Sequence, residues 1–420
     1  RLQGLAFLLG VVATFLALLQ VMTVVALSNV LHDGAAQRWG MAEPHLQALE
    51  ALLHERAPRQ VSTLHEPLSG SPARALQRRV PGLMREVVPG EVAVEPTHLL
   101  SNGRYSVALR PNGAGLSRRG TTGITRWRDD ALRDDAGSFV FVRWPQPPAE
   151  TATERAWGLE RRAARRPDRL GLASVTQHPA PDPAAEYRCR LHADRVCFSA
   201  EWPRLHVHTT VWVSPEDDIE FRQVELLNTG ARSIELELIS ALEVTLSEAR
   251  ADESHPAFMN LFVAAAWRPR HQALLFTRTP RLPSEPALMA AHFLADVDRG
   301  GDELDGPDAA GLRLRVQTDR QRWRGRNRGP EAPRAELDEP AQAADAGRPG
   351  MLKDIACTTG LDPVAALGVG LTLPPNRKVT LTFATAASDD AGQLDAIVDK
   401  YRQRSHIRRS SLMSATLAGI

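Results

Sequence analysis

The stretch Leu205-His-Val-His-Thr-Thr-Val-Trp-Val213, followed by Ser214-Pro-Glu-Asp-Asp218 and then Ile219-Glu-Phe-Arg-Gln-Val-Glu-Leu-Leu227, decides the fold. Its first half alternates apolar and polar residues. A pleated strand turns such a pattern to one face; a helix does not. Val, Thr and Trp fill the first run and Ile, Phe and Val the second, and β-branched and aromatic side chains suit a half-buried pleated surface. Pro215, Asp217 and Asp218 read as a turn between the runs, with the aspartates capping local backbone N–H groups. Two such runs across a short turn predict an antiparallel pair.

Working outward, similar runs recur at Tyr105–Arg110, Phe139–Trp144, Val196–Trp202 and Ile234–Thr245. Others follow at Ala273–Thr277, Leu288–Val297, Leu312–Gln317 and Lys378–Ala386. Asn228-Thr-Gly230 marks a turn between two long strands. Many strands without intervening helices predict a mainly β chain, a large antiparallel sandwich. Two stretches interrupt the pattern. Ala149–Arg169 is charged and Ala/Arg-rich, which predicts a loop with a helical turn; Arg324–Gly350 is polar with Pro and Gly, which predicts an exposed insertion. After the last strand, Leu394, Ile397, Val398, Tyr401, Ile407 and Leu412 form an apolar stripe that predicts helix over Ala391–Leu417.

At the other end, Gly4–Leu31 holds no charged residue and is long enough to span a bilayer. A fully buried helix at the end of a preceding helical domain fits it equally. His45–Arg56 reads as an amphipathic helix stopped by Pro58, and Arg59–Glu95 reads as a linker, with room for a short helix near Ala75–Val88. The division expected is therefore 1–57, a helical segment; 58–94, a linker; 95–388, the sandwich; and 389–420, a helix leading onward. The chain starts at Arg1 and ends at Ile420 inside a helical pattern, so both ends are expected to be cut from something longer.

Composition narrows the function classes. The 420 residues carry 51 basic and 50 acidic side chains, a net charge of +1, so no global field recruits nucleic acid. Only Lys353, Lys378 and Lys400 are lysines, and the remaining basic residues are arginines. Cys189, Cys197 and Cys357 make no disulfide framework and have no metal-ligand spacing around them; they read as small hydrophobes, although Cys189 and Cys197 could face each other across a hairpin. No P-loop, G-x-S-x-G, H-E-x-x-H or dinucleotide fingerprint is present. Neither a cofactor nor a metal is expected.

The densest polar cluster is Thr125-Arg126-Trp127-Arg128-Asp129-Asp130, followed by Arg133-Asp134-Asp135. Carboxylates and guanidiniums bond to hydroxyl pairs, and an indole face stacks on C–H groups, so such a loop suits sugar. A surface ion-pair network is the blander alternative. Paired carboxylates also perform glycoside cleavage, but adjacent ones on a single loop do not flank a substrate from opposite sides, and no catalytic residue is assigned. His206 and His208 share a strand face without a third ligand, and Arg320, Arg324, Arg326 and Arg328 read as an exposed basic loop.

Four stretches resemble the glycoside hydrolase family 94 branch that includes cyclic β-1,2-glucan synthases. They are His98–Val107 leading through Asn112–Gly115 to Asp135, Val213–Gly230, His255–Val263, and Thr318–Arg326. The resemblance implies a β-supersandwich, galactose mutarotase-like, with flanking helices at both ends. It also implies that 389–420 leads toward an (α/α)6 catalytic barrel outside this chain. Met22–Leu31 and Leu53–Pro58 are similar to the end of the family's middle helical domain, whereas the apolar Phe15–Leu19 and the Ala136 position depart from the pattern.

On that resemblance the chain is a non-catalytic sandwich portion supporting glucan binding and trimming, and Arg126, Trp127, Asp129 and Asp130 are the substrate-binding candidates. The expected partners are a β-glucan oligosaccharide, the barrel and a second copy in a homodimer. The expected location is the cytoplasmic side of a bacterial inner membrane, with a periplasmic, membrane-anchored protein as the alternative. The alternative function is a stand-alone glucan-binding or structural module. A complete hydrolase using Asp129 or Asp135 is disfavoured, because no second carboxylate is placed across a cleft.

Overall fold

The computed structural model describes residues 20–43, 84–91, 95–128, 130, 133–144, 171–280, 287–299, 312–340 and 354–418. The chain divides into two units, 1–78 and 79–420. In the first, residues 20–31 are helical and α1 covers Ala35–Met41. Met22, Leu27, Val30 and Trp39 are exposed there. No helix among the described residues is long and apolar enough to cross a membrane. The rest of the Gly4–Leu31 stretch, the 45–56 helix and the 149–169 loop lie outside the described residues.

The second unit holds nineteen strands among its described residues. They are β1 Met84–Val87, β2 His98–Ser101, β3 Tyr105–Leu109, β4 Gly115–Arg119, β5 Thr122–Thr125, β6 Ser138–Trp144 and β7 Gly171–Ser174. Then come β8 Glu186–His192, β9 Val196–Trp202, β10 Leu205–Val213, β11 Ile219–Asn228, β12 Ile234–Ser247, β13 Val263–Arg268 and β14 Ala273–Arg278. The last are β15 Met289–Asp298, β16 Arg313–Asp319, β17 Ile355–Cys357, β18 Pro363–Leu373 and β19 Lys378–Ser388. Five helices accompany them among the described residues: α2 Ala249–Ser254, α3 Pro256–Asn260, α4 Arg320–Arg324, α5 Ala391–Tyr401 and α6 Arg404–Ala418.

Ten strands form one antiparallel sheet in the order β1-β8-β9-β10-β11-β19-β15-β14-β13-β17. The other sheet has nine, running β16-β18-β12-β5-β4-β3-β2, with β6 beside β12 and β7 beside β6. β10 and β11 pair from Leu205↔Asn228 to Val213↔Glu220, as their alternation predicts. The inward residues of both sheets, among them Val107, Val142, Phe198, Val224, Leu238 and Phe383, make one continuous core. The chain is thus an antiparallel supersandwich with helices toward both ends.

Two further layers cover the outer faces. On the ten-stranded sheet, Trp212, Phe221 and Phe293 pack against Leu394, Ile397, Val398 and Tyr401 of α5 and Ile407 of α6. On the nine-stranded sheet, Phe139, Phe141, Ile239 and Ala241 pack against Trp323, Ala335 and Leu337. The β6 sequence Phe-Val-Phe-Val serves both layers: Val140 and Val142 face the main core, while Phe139 and Phe141 face outward.

Several expectations need correction. Met84–Val87 is a strand paired with β8, so it belongs to the sandwich rather than to a linker or a short helix. Ala335 and Leu337 are buried and Val316 bridges Asp338, so this part of the expected exposed insertion is a piece of the outer layer. Leu412 is 69% exposed and lies outside the apolar stripe of the C-terminal helices. Cys189 pairs with Phe198 and Arg190 with Cys197, so the two cysteines sit at alternate register positions on opposite faces; all three are free.

Asp217 and Asp218 do not cap the turn, because Ser214 Oγ accepts from the N–H groups of Glu216 and Asp217. The carboxylates instead reach distant elements. Asp218 accepts from Arg104 and Arg119, each at 2.9 Å, and Asp217 accepts from Lys400 at 2.7 Å and Tyr401 at 2.8 Å. One turn therefore ties the β2–β3 hairpin and α5 to the ten-stranded sheet.

Candidate functional site: a cavity on the outer face of the nine-stranded sheet

The site is built on β12. Its outward row is Glu237, Ile239, Ala241 and Glu243, every second residue of the strand. Register places Phe139 opposite Ala241 and Phe141 opposite Ile239 on one side. Val364 stands opposite Glu243 and Ala366 opposite Ala241 on the other. Trp323 from α4 closes over this apolar floor, its ring 5.7 Å from Phe141 in an edge-on arrangement. α4 starts where Asp319 Oδ1 accepts from Gln321 N at 2.8 Å, and it ends at Gly325, whose φ of 84° favours glycine.

The polar wall centres on Arg126, just past β5. Its N–H bonds to the Glu243 carbonyl at 2.8 Å, which brings the guanidinium alongside β12. Nε donates to Asp252 Oδ2 at 3.1 Å. Nη1 donates to Glu243 Oε2 and Asp362 Oδ1, both at 3.0 Å, and Nη2 to Asn260 Oδ1 at 2.9 Å and Asp252 Oδ1 at 3.4 Å. All five donors of the fork are engaged, and the residue is 5% exposed. Burial opposes its charge, and Glu243, Asp252 and Asp362 more than offset that, so its pKa lies above the usual arginine value.

Two more arginines come from α4. Arg320 Nε binds Glu243, and its Nη1 donates to Asp362 Oδ2 at 2.7 Å. Arg324 Nη2 donates to Glu243 Oε1 at 2.8 Å. Glu243 is therefore shared by three guanidiniums. Burial, aided by the charge of Arg320, lowers the Arg324 pKa despite Glu243. Burial raises the Asp362 pKa, but Arg320 and Arg126 overcome it and hold the carboxyl below the usual range.

Between floor and wall lies a cavity of about 320 Å³. Arg128, Asp130, Arg133, Asp135 and Glu253 stand around it with Arg320 and Arg324, over Phe139, Phe141 and Trp323. Arg128 lies 3.8 Å from Asp252, and Arg133 lies 3.6 Å from Asp130. Asp134 accepts from Arg110 and from Asn112 Nδ2 at 2.7 Å, holding the Asn112 turn rather than the cavity.

The four sequence candidates separate. Arg126 is the buried hub of the wall, and Asp130 stands on the rim. Trp127 lies outside the cavity lining, its ring 5.5 Å from the Arg110 guanidinium. Asp129 lies outside the described residues. Arg320 and Arg324 belong to a short helix on the cavity wall, not to an exposed loop, while Arg326 and Arg328 are exposed. Sequence reading missed Glu243, Asp252 and Asp362. Glu243 carried a signal, as a lone carboxylate within the apolar run Leu238–Leu246. His206 is exposed and His208 half-buried on β10, with Ser199 Oγ 3.2 Å from His208 Nδ1. No group of residues suited to a metal ion occurs among the described residues.

The chain is 31% identical over 392 residues to a cyclic beta-(1,2)-glucan synthase, NdvB, of Rhizobium meliloti (strain 1021). That alignment covers 91% of this chain and only 12% of the relative. A bacterial glucoamylase solved with acarbose aligns to 79% of this chain and 40% of its own, at 5% identity and a TM-score of 0.36. A protein of Escherichia coli K12 carrying a provisional aldose 1-epimerase name aligns to 70% of this chain and 99% of its own, at 13% identity and a TM-score of 0.32. The family profile described as glycosyl hydrolase 94, supersandwich domain, matches residues 87–147 and 165–404. The chain belongs to the glycosyl hydrolase 94 supersandwich domain family.

Proposed function

We propose that this chain is the non-catalytic sandwich portion of a cyclic β-1,2-glucan synthase-like glycosyltransferase/phosphorylase, and that the cavity beside Glu243 holds glucosyl residues. The observation that carries this is the pairing of an apolar aromatic floor with a rim of planar charged groups. Hexose rings offer C–H faces to the floor and paired hydroxyls to carboxylates and guanidiniums. Arg126 acts here as a positioning residue, since its five donors are already engaged. Arg128, Arg324 and Asp130 are the ligand-facing groups, with Asp129 and Trp127 on the same loop.

The chemistry of the wall supports a non-catalytic role. A glycosidase acid needs a carboxyl kept protonated near neutral pH. Asp362 is held the opposite way, by Arg320 and Arg126. The partner proposed is a helical catalytic barrel following α6, and a second copy of the chain is a further candidate. α5 and α6 support the first by their anchoring: Lys400 on Glu216 and Asp217, Arg404 on Asp296, Arg195 on the Ser411 carbonyl. The boundaries proposed are a sandwich beginning at β1 and helices α5–α6 leading out of it. Location against a bacterial inner membrane follows from the same reading.

The test is a tryptophan-fluorescence titration of the full chain with linear β-1,2-gluco-oligosaccharide, since Trp323 lies on the floor. Saturable binding that weakens at least tenfold in Arg324→Ala and in Asp130→Ala is expected. No saturable change at millimolar oligosaccharide overturns the proposal. So does reducing-sugar release by the purified chain that Asp130→Asn abolishes, since it makes the site catalytic.

A further inference from the structure

We infer that the sugar site continues along the same face into a second cavity, so that its ligand is an extended glucan chain rather than one or two residues. This rests on the reading of the Glu243 cavity as a sugar site. The second cavity measures about 680 Å³, and Trp144, Arg143, Asp182, Arg328 and Glu331 are among the residues lining it.

Both side walls run from one cavity into the other without a break in the chain. Pro179 lines the first and Ala180–Pro183 line the second; Pro330 lines the first and Glu331–Ala335 line the second. The intervening segment is fastened at its base, where Ala335 N donates to the Trp323 carbonyl at 2.8 Å and Arg334 N to the Arg324 carbonyl at 3.0 Å. The two polar ends sit on one strand. Glu243 anchors the first cavity, and Glu237, six residues earlier on β12, accepts from Arg143 and Arg315 beside the second. At about 3.3 Å per residue those anchors are roughly 20 Å apart, longer than a disaccharide.

The second cavity also reaches the end of β6, where Trp144, packed against the main core, lines it with a rigid indole. Trp144 packs edge-on against Trp202 at 5.6 Å, and Trp202 Nε1 donates to Asp182 Oδ2 at 3.0 Å, fixing indole and carboxylate together. Gly171, opposite Trp144 on β7, gives the indole its seat: a Cβ there would stand 2.8 Å from Trp144 Nε1. A fixed indole beside a carboxylate and arginines repeats the sugar-type chemistry of the first cavity, at lower ordering cost than a mobile one.

Calorimetric titration of the full chain with linear β-1,2-gluco-oligosaccharides of increasing length tests this. Affinity is expected to rise at least tenfold between a disaccharide and a chain long enough to cross both cavities. Trp144→Ala, and independently the exposed Arg328→Ala, are expected to abolish that gain while leaving the disaccharide constant unchanged. A disaccharide that binds as tightly as every longer chain overturns the extension and leaves the first cavity standing. Equal weakening of short and long ligands by Arg328→Ala overturns it as well. Absence of binding at every length removes the sugar site itself.

Discussion

Arg126 Nη1 lies 3.0 Å from Asp362 Oδ1, joining positions 236 residues apart in the chain. The same nitrogen bonds Glu243 on β12, and the rest of the fork bonds Asp252 and Asn260 from the α2–α3 segment. Three separate pieces of the chain are thus held by one side chain.

Removing that side chain leaves three half-buried or buried carboxylates with less compensation. Breaking such a cluster from one side is far more costly than the net value of the pairs, because the charges left behind stay desolvated. Arg126→Met is expected to lower unfolding free energy by about 3 kcal/mol or more in urea titrations. Arg128→Ala, on a partly exposed pair, is expected to change it by less than about 1 kcal/mol. Equal effects from the two would contradict the hub assignment.

Stability should fall on mild acidification through His292. The ring is buried between the sheets, with Nδ1 3.0 Å from Thr385 Oγ1. Burial, and secondarily Arg222, push its pKa down to about 3. The unfolded chain binds a proton below about pH 6.5 and the folded chain does not, so folding loses roughly 1.4 kcal/mol per pH unit between those values. From pH 6.5 to pH 5 the expected loss is about 2 kcal/mol relative to His292→Gln, measured by urea unfolding at both pH values. Parallel pH profiles for the two proteins would show that His292 does not titrate this way.

Beside it, Glu220 and Arg222 face each other at 3.8 Å inside the sandwich, at 1% and 3% exposure. Ser117 Oγ donates to Glu220 at 2.9 Å, while Arg222 Nε and Nη2 have no hydrogen-bond partner among the described residues. So loose a buried pair gains little over apolar side chains of similar volume. Glu220→Leu alone is expected to cost about 3–5 kcal/mol, and Glu220→Leu with Arg222→Met far less. A double variant no more stable than Glu220→Leu alone would show the pair to be a net stabiliser.

Gly368 on β18 marks how closely the outer layer is packed. A Cβ there would meet Leu337 Cδ1 at 2.5 Å and Glu237 Oε1 at 2.8 Å, with that carboxylate already held by Arg143 and Arg315. Gly368→Ala is expected to cost about 1–3 kcal/mol, as overpacking does, and Leu337→Ala in the same chain should recover part of it. A neutral Gly368→Ala would mean that the layer yields easily.

The strands legible in the sequence were those with one wet face or many β-branched residues. β9 and β10 match their expected ranges, and β6 and β11 differ by one residue. β13 and β18 escaped reading for a physical reason. Pro363-Val-Ala-Ala-Leu-Gly-Val-Gly370 is buried on both faces, so no alternation marks it, and Val263-Ala-Ala-Ala-Trp267 puts alanine on its wet face as well as its buried one, so its alternation in burial leaves no trace in residue type. β1 was hidden by its Pro- and Arg-rich surroundings.

The site was half legible. The Thr125–Asp130 loop does border the cavity, but residue type could not separate Arg126, whose donors are used up by distant carboxylates, from Arg128 on the rim. Asp252, Asp362, Arg320 and Arg324 reach it from remote positions, and only the register of β12 with β6 and β18 brings them together.

The most direct measurement is amide hydrogen exchange of the full chain with and without saturating linear β-1,2-gluco-oligosaccharide. Slowed exchange concentrated in peptides covering 126–137, 171–183 and 320–335 is the result predicted, since the first and last border the first cavity and the last two border the second. Protection elsewhere on the sandwich with none at these segments, under conditions where the oligosaccharide binds, would contradict the account.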